Sequence, residues 1–297
     1  MLAEIGIKVL CNGHRLNLNK GGDMNKKLSD LEQAYSPSTA ARGYEQTIKR
    51  YASESAQALR DYPSRQVAYG TDPEEYALLF EPVQDKANAL LVFIHGGYWQ
   101  ELSAFESCFM AGAFMQNGWS YAAVNYTLAP HASVAHMVKQ CAAAIYQLHL
   151  LQPERTLVIA GSSAGAHLCA MMMSFDWCSV GAATCPVTSG ILVSGVYDLR
   201  PLVDTYINAP LFLNESSASA ISPLLNEAVT PFPVTVCYGE YETQAFKDQS
   251  VRYAEFLRQH EIPADCYEVV GVDHFDILFE FNKPESKLHK DTLIRCN

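Results

Sequence analysis

The sequence predicts an α/β fold built on a mostly parallel sheet of eight strands, with helices on both faces. Two observations predict it. From about Val67, short apolar runs bounded by Gly, Pro or Asn alternate with amphipathic runs, the pattern of a doubly wound sheet. Many of these apolar runs have no polar residue at alternate positions, as expected of strands covered on both faces. The eight predicted strands span residues 66–69, 76–81, 90–95, 121–126, 156–160, 190–195, 234–238 and 265–270.

Helical patterns lie between the predicted strands. Residues 133–151 carry apolar side chains with a period of about 3.6 residues, and residues 164–175 and 246–259 are also predicted to be helical. Residues 39–60 are predicted to form one or two helices outside this alternation. Residues 1–30 are predicted to be a disordered extension with Met24 as an alternative start, and residues 31–297 a single domain.

Composition argues against several classes of function. The formal net charge is −11 and no stripe of Lys or Arg occurs, so neither nucleic acid nor a membrane is an expected partner. No segment reaches the ~18 uninterrupted apolar residues of a membrane span. Nine cysteines without a C-x-x-C pair indicate free thiols in a reducing compartment and no structural zinc. Since no clear signal peptide is present, we expect a cytoplasmic protein. We also expect neither a metal nor a cofactor.

A candidate nucleophile lies in the segment Gly161-Ser162-Ser163-Ala164-Gly165. The pattern G-x-S-x-G fits only with Ser163 at its centre, because Ser162 has alanine at both glycine positions. A nucleophile on a tight strand-to-helix turn has a strained backbone, so its close neighbours must be small. The predicted strand before Ser163 and the predicted helix after it supply this context.

A second motif, His95-Gly96-Gly97-Tyr98-Trp99, directly follows another predicted strand. Acyl transfer builds negative charge on a carbonyl oxygen, and fixed N–H donors stabilise that charge. Two glycines let the backbone bring such donors close. Gly96 and Gly97 are therefore predicted oxyanion donors, together with the N–H of Ala164, the residue after the nucleophile. The alternative is a plain glycine turn after a strand.

His274 is the predicted general base, because it lies in a short loop after the last predicted strand. In the α/β-hydrolase fold the catalytic triad follows the chain order Ser, acid, His. The acid is therefore expected in the loop after residues 234–238. Glu242 is preferred there because it has cleared the strand end, and Glu240 is the alternative.

With these motifs in place, the chain resembles the kynurenine formamidase (arylformamidase) family of serine hydrolases over most of its length, from about Leu31. The segments that carry the resemblance are Tyr35-Ser36-Pro37-Ser38, HGGYW at 95–99, the serine turn running into Ala166-His167-Leu168, Ser194-Gly195-Val196-Tyr197-Asp198-Leu199 and Val272-Asp273-His274-Phe275. The resemblance implies a triad of Ser163, Glu242 and His274. It also implies oxyanion donors from the Gly96–Gly97 turn and Ala164. The family pattern has Asp where this chain has Glu242, and glutamate serves as the third triad member in other hydrolases of this fold.

The resemblance implies cleavage of the formyl–aryl amide of N-formylkynurenine to kynurenine and formate. A broad carboxylesterase acting on short acyl or aryl esters is the alternative, since it needs the same catalytic residues. Tyr98 and Trp99 are candidate walls for the aromatic ring, and packing of their loop against the body is the competing interpretation. The helical segment 39–60 is expected to lie near the active-site mouth. The expected partner is a small-molecule substrate, and a homodimer is left open.

Overall fold

A computed structural model describes residues 29–84, 87–228 and 230–295. Its centre is an eight-stranded sheet with the order β1-β2-β4-β3-β5-β6-β7-β8. The strands are β1 Ser64–Ala68, β2 Tyr76–Phe80, β3 Ala89–Ile94, β4 Ser120–Val124, β5 Thr156–Ser162, β6 Ser189–Val193, β7 Val234–Gly239 and β8 Ala264–Val269. β2 is antiparallel to both its neighbours, and all other pairs are parallel. The predicted fold class is confirmed.

All eight predicted strands are present, with ends within two residues of the predicted ones. The largest differences occur where pairing, and not side-chain type, sets the end. β5 runs two residues beyond the predicted end because Gly161 pairs with Leu192 and Ser162 with Val193. Small residues that look like a turn in the sequence thus continue the sheet up to the candidate nucleophile.

The α-helices are α1 Tyr44–Asp61, α2 Ala111–Gln116, α3 Val134–Leu151, α4 Ala164–Met171, α5 Glu215–Ala220, α6 Gln244–Gln259 and α7 Lys287–Ile294. Short 3₁₀ helices span Pro37–Thr39, Phe105–Met110, Trp177–Val180, Arg200–Asp204, Tyr206–Asn208, Pro223–Leu225 and Asp276–Asn282. Three of these helices, α2, α5 and α7, have no counterpart in the sequence prediction. They are six to eight residues long, too short for a 3.6-residue period to stand out.

One predicted helix end is wrong. α4 ends at Met171, four residues before the predicted end at Phe175. The chain tightens there, since the N–H groups of the next three residues bond to carbonyls three residues back instead of four.

The N-terminal segment differs from the prediction in detail. For the one or two helices predicted over residues 39–60, the structure has a 3₁₀ turn at Pro37–Thr39 followed by the single helix α1. Residues 29–34 are helical as well. Of the predicted extension 1–30, residues 1–28 lie outside the described residues.

Apolar side chains cover both faces of the sheet. Along β3, Leu90, Val92 and Ile94 belong to a core cluster shared with α3, α4 and α6. Leu91 and Phe93 belong to a second cluster shared with α1, α2 and α7. This alternation explains why β3 has six buried residues and no polar position.

Two sequence expectations concern the chain as a whole. None of the helices in the described part is long and apolar enough to span a membrane. The seven cysteines in that part are all free thiols, and four of them, Cys108, Cys141, Cys169 and Cys237, are buried.

Candidate active site

The site lies where the carboxyl ends of the parallel strands meet. Gly96 follows β3, Ser163 follows β5, Ser194 follows β6, and the loop with Glu242 follows β7. The His274 loop follows β8. In open α/β sheets ligands bind at this edge, near the point where the strand order reverses, which here falls between β3 and β5.

Ser163 occupies a strained turn between β5 and α4. Its backbone angles, φ 55° and ψ −116°, lie outside the regions that residues other than glycine prefer. The flanking glycines explain how the turn closes. A Cβ on Gly161 would lie 2.4 Å from the backbone of Gly165, and one on Gly165 would lie 2.0 Å from the carbonyl oxygen of Ile94. The spacing G-x-S-x-G is therefore a steric requirement of this turn.

Ala164 begins the helix that follows Ser163. As the first residue of α4, it has an N–H without an acceptor inside the helix. The helix dipole adds partial positive charge at the same end. This backbone is suited to an anionic oxygen beside Ser163.

The Gly96–Gly97 turn packs directly against the serine turn. A Cβ on Gly96 would lie 2.8 Å from the carbonyl oxygen of Ser162 and 3.2 Å from the Cβ of Ser163. Gly97 has a φ of +96°, and a Cβ there would lie 2.2 Å from the carbonyl oxygen of Glu101. Both glycines are required by close backbone contact, which supports the predicted role of this turn over a plain glycine turn.

His95 packs against that turn and contacts its backbone. Its Nδ1 lies 2.8 Å from the carbonyl oxygen of Gly96, and its ring stacks on Tyr126 at 4.2 Å. Burial lowers the pKa of His95 to about 4, so the ring is neutral at pH 7. Because a carbonyl oxygen only accepts, Nδ1 carries the proton of this neutral ring.

Glu242 and His274 form a buried pair. His274 Nδ1 lies 2.9 Å from Glu242 Oε2, and the two side chains are 4% and 0% exposed. The other carboxylate oxygen, Oε1, accepts hydrogen bonds from the Ser194 hydroxyl at 2.5 Å and the Gly239 N–H at 2.6 Å. Glu240, the alternative acid, instead accepts the N–H of Gly271 at 2.8 Å.

The loop that carries His274 is shaped by its own neighbour. Asp273 Oδ1 accepts the N–H groups of Phe275 and Asp276 at 2.9 and 3.1 Å, an Asx-type turn. Asp273 Oδ2 accepts the N–H of Arg42 at 2.7 Å. The hydroxyl of Tyr51 donates to the carbonyl oxygen of Phe275. Both residues that flank His274 are thus tied to the N-terminal segment.

Ser163 and His274 line one cavity of about 190 Å³ together with the glycine turn. The described residues that line it are Pro37, Ser38, Tyr44, Ile48, Tyr51, Gly96, Gly97, Tyr98, Gln100, Glu101, Leu102, Ser162, Ser163, Tyr206, Ile207, His274, Phe275 and Leu278. Five of them come from residues 37–51, so the N-terminal segment forms one wall. The cavity combines apolar rings with a few polar groups, as small-molecule sites do.

The two aromatic residues after Gly97 have different environments. Tyr98 lines the cavity, and its hydroxyl donates to the carbonyl oxygen of Tyr35 at 2.5 Å. Trp99 is fully buried, is absent from the cavity lining, and meets the ring of His167 edge-on at 5.1 Å. For Trp99 the structure favours the packing interpretation over a substrate wall.

Sequence reasoning missed two groups of residues near the site. Ser194, which binds Glu242, carries a signal in hindsight: it follows a buried strand and has a small neighbour, Gly195. Segment 39–60 was expected near the active-site mouth, and Tyr44, Ile48 and Tyr51 line the cavity. Which of its residues do so carries no signal in the sequence, because only the fold sets the face that this helix presents. In the described part of the chain, no three His, Cys, Asp or Glu side chains are grouped to hold a metal ion.

Comparison with known sequences gives consistent similarities. The BD-FAE family profile matches residues 78–177. A kynurenine formamidase from Salmo salar is 31% identical over 276 residues, which cover 88% of this chain and 93% of the salmon protein. A kynurenine formamidase from Drosophila melanogaster is 28% identical over 280 residues, covering 86% and 93% of the two chains.

Solved structures extend the comparison. A candidate thioesterase from Silicibacter sp. superposes with a TM-score of 0.81 at 26% identity, covering 89% of this chain and 98% of that one. The hyperthermophilic esterase of Pyrobaculum calidifontis superposes with a TM-score of 0.67 at 18% identity, covering 91% and 95%. At that identity the second similarity bears on the fold alone.

Proposed function

Because this chain belongs to the kynurenine formamidase family, we propose that it hydrolyses the formyl–aryl amide of N-formylkynurenine to kynurenine and formate. The observation that carries the proposal is the buried Glu242–His274 hydrogen bond of 2.9 Å, beside a cavity that Ser163 also lines. The choice of substrate rests on the family, and the proposed reaction type, that of a serine hydrolase, rests on this geometry.

In the proposed first half-reaction Ser163 attacks the formyl carbon. His274 takes the hydroxyl proton on Nε2, while its Nδ1–H donates to Glu242, which stabilises the imidazolium that forms. The carbonyl oxygen becomes an oxyanion. It accepts hydrogen bonds from the backbone N–H groups of the Gly96–Gly97 turn and of Ala164.

Collapse of this intermediate breaks the carbon–nitrogen bond. His274 gives its proton to the departing aniline nitrogen, and kynurenine leaves a formyl group on Ser163. Water then attacks the formyl carbon with His274 again as base, and formate leaves as Ser163 regains its proton. Conjugation of the nitrogen with a ring that bears an ortho ketone weakens the amide, so this machinery needs no metal.

Steady-state kinetics test the reaction. We expect kcat/KM on N-formyl-L-kynurenine to exceed that on p-nitrophenyl acetate. Ser163→Ala should lower kcat at least about a thousandfold, since the nucleophile is removed. The adjacent Ser162→Ala serves as the matched control and should stay within about tenfold of the parent. A higher kcat/KM on the acetate ester would favour the carboxylesterase alternative, and full turnover by Ser163→Ala would contradict the mechanism.

We further propose that the enzyme works in the cytoplasm on a small-molecule substrate. The support for the compartment is that the seven described cysteines are free, because thiols stay reduced in the cytoplasm.

A further inference from the structure

Glu101 is the one carboxylate among the described residues that line the cavity, and that lining contains no Lys or Arg. Its carboxylate has no hydrogen bond or ion pair to any described residue. Most carboxylates near the site are bonded, as Glu242 and Asp273 are. Glu101 is an exposed residue, and a carboxylate that lines a cavity without a protein cation can pair with a cationic group of a ligand.

The position of Glu101 is set by the same turn that holds the oxyanion donors. The N–H of Glu101 donates to the carbonyl oxygen of Gly97 at 3.0 Å, and the following residue, Leu102, has a φ of 68°. The backbone of Glu101 is therefore fixed next to the Gly96–Gly97 turn, so its carboxylate reaches a bound group from the same side of the cavity.

The charge of Glu101 acts on Tyr44, another residue of the cavity lining. Burial raises the pKa of Tyr44, and the negative charge of Glu101 raises it further. Tyr44 and Ser38 line the cavity, and their hydroxyls have no hydrogen-bond partner among the described residues. Both hydroxyls stay neutral donors near pH 7.

We propose that Glu101 is the specificity determinant that binds the α-ammonium group of an amino-acid substrate, with the hydroxyls of Ser38 and Tyr44 facing its α-carboxylate. The assignment to an amino acid rests on the proposed function. The preference for a cation does not, because it follows from the charge of the cavity wall for any acyl substrate that this site hydrolyses.

The test compares two substrates that differ by one group: N-formyl-L-kynurenine and its deamino analogue, 4-(2-formamidophenyl)-4-oxobutanoate. We expect Glu101→Gln to lower kcat/KM on N-formyl-L-kynurenine about tenfold, mainly through KM, as for a charged hydrogen bond at a partly exposed site. On the deamino analogue kcat/KM should stay level or rise, because no cation is lost and a like charge is removed. Added salt should shrink the difference in the parent enzyme but not in the variant.

Glu45→Gln is the matched control, since Glu45 is an exposed carboxylate on the first turn of α1 and does not line the cavity. It should leave the ratio of the two kcat/KM values unchanged. Equal loss on both substrates in Glu101→Gln would overturn the proposal.

A second substrate pair separates failure of this inference from failure of the proposed function. Should the parent enzyme leave N-formyl-L-kynurenine intact, the proposed function fails. The cation preference is then measured with acetylthiocholine against its neutral isostere, 3,3-dimethylbutyl thioacetate. Loss of that preference in Glu101→Gln supports the charge-based part of the inference. An equal preference in parent and variant overturns it.

Discussion

Glu242 accommodates one methylene more than the aspartate of the family pattern by folding back over its own turn. Its N–H bonds to the carbonyl oxygen of Gly239 at 3.2 Å, and its Oε1 accepts the N–H of the same glycine. The hydroxyl of Ser194 fixes this oxygen from the neighbouring strand end. Three contacts therefore aim the remaining oxygen, Oε2, at His274.

We predict that Glu242→Gln lowers kcat by about 10³- to 10⁴-fold, because the amide cannot stabilise the imidazolium and can favour the wrong ring tautomer. Ser194→Ala should lower kcat only about three- to tenfold, since the Gly239 N–H still holds the carboxylate. Steady-state assays with an acyl substrate that the parent enzyme hydrolyses measure kcat for both variants. A Glu242→Gln variant with near-parent kcat would exclude Glu242 as the triad acid, and Glu240→Gln is then the variant to compare.

At the scale of elements, the N-terminal segment holds the loop that carries the predicted base. The guanidinium of Arg42 lies 3.6 Å from the ring centroid of Tyr241, beside Glu242. The rings of Tyr44 and Phe275 lie 4.6 Å apart. Together with the bonds of Arg42 and Tyr51 to the residues on either side of His274, these contacts make α1 part of the site.

Tyr51→Phe tests this role because it removes one buried hydroxyl and no ring. The carbonyl oxygen of Phe275 would lose the tyrosine donor and keep only the N–H of Leu278 at 3.3 Å, which costs about 1 kcal/mol. We expect the Tm to fall by roughly 2–4 °C and kcat to fall about two- to fivefold. Thermal unfolding followed by circular dichroism and initial rates measure the two effects.

Tyr62→Phe is the control for that change. The Tyr62 hydroxyl accepts a hydrogen bond from Gln116 at 3.2 Å on the exposed surface. Its removal should leave Tm and kcat nearly unchanged. A loss of stability without any loss of kcat in Tyr51→Phe would reduce α1 to a purely structural element.

A second link joins two segments that carry the family resemblance. Gln249 of α6 donates to the Tyr35 hydroxyl at 3.0 Å and to the carbonyl oxygen of Asp198 at 2.9 Å. Its Oε1 accepts the N–H groups of Tyr197 and Asp198. One buried amide thus connects the N-terminal segment to the loop after β6.

For the whole molecule, two buried histidines couple folding to pH. Burial lowers the pKa of both His95 and His167 to about 4, and each ring bonds to a backbone carbonyl oxygen. In the unfolded chain the pKa of histidine is about 6.5. Between pH 6.5 and 4 the unfolded chain therefore binds more protons, so the free energy of unfolding falls as the pH falls.

We predict a loss of about 3 kcal/mol for each histidine between pH 7 and pH 4, in addition to the loss from other groups. Urea unfolding at several pH values measures the slope. His167→Gln can keep a donor to the carbonyl oxygen of Ile221 but does not titrate, so its free energy of unfolding should fall less steeply. A variant with the same pH slope as the parent would contradict neutral burial of His167.

The sequence alone was enough to predict the class of fold, the eight strands and the positions of Ser163 and His274. The strands and Ser163 depend on local physics, namely the hydrophobic pattern of buried runs and small residues at a strained turn. His274 follows from the chain order of triads in this fold. α2, α5 and α7 escaped prediction because one or two helical turns leave too short a pattern.

Only the tertiary structure decided which acid reaches His274, which aromatic residue lines the cavity, and which residues of α1 form a wall of the site. Glu240 and Glu242 are two residues apart in one loop, and Tyr98 and Trp99 are adjacent. Ser194 and His274 bind Glu242, whereas Glu240 binds Gly271. Tyr98 lines the cavity and bonds to Tyr35, whereas Trp99 is buried against His167. Such selection depends on contacts between distant segments, and no local pattern encodes it.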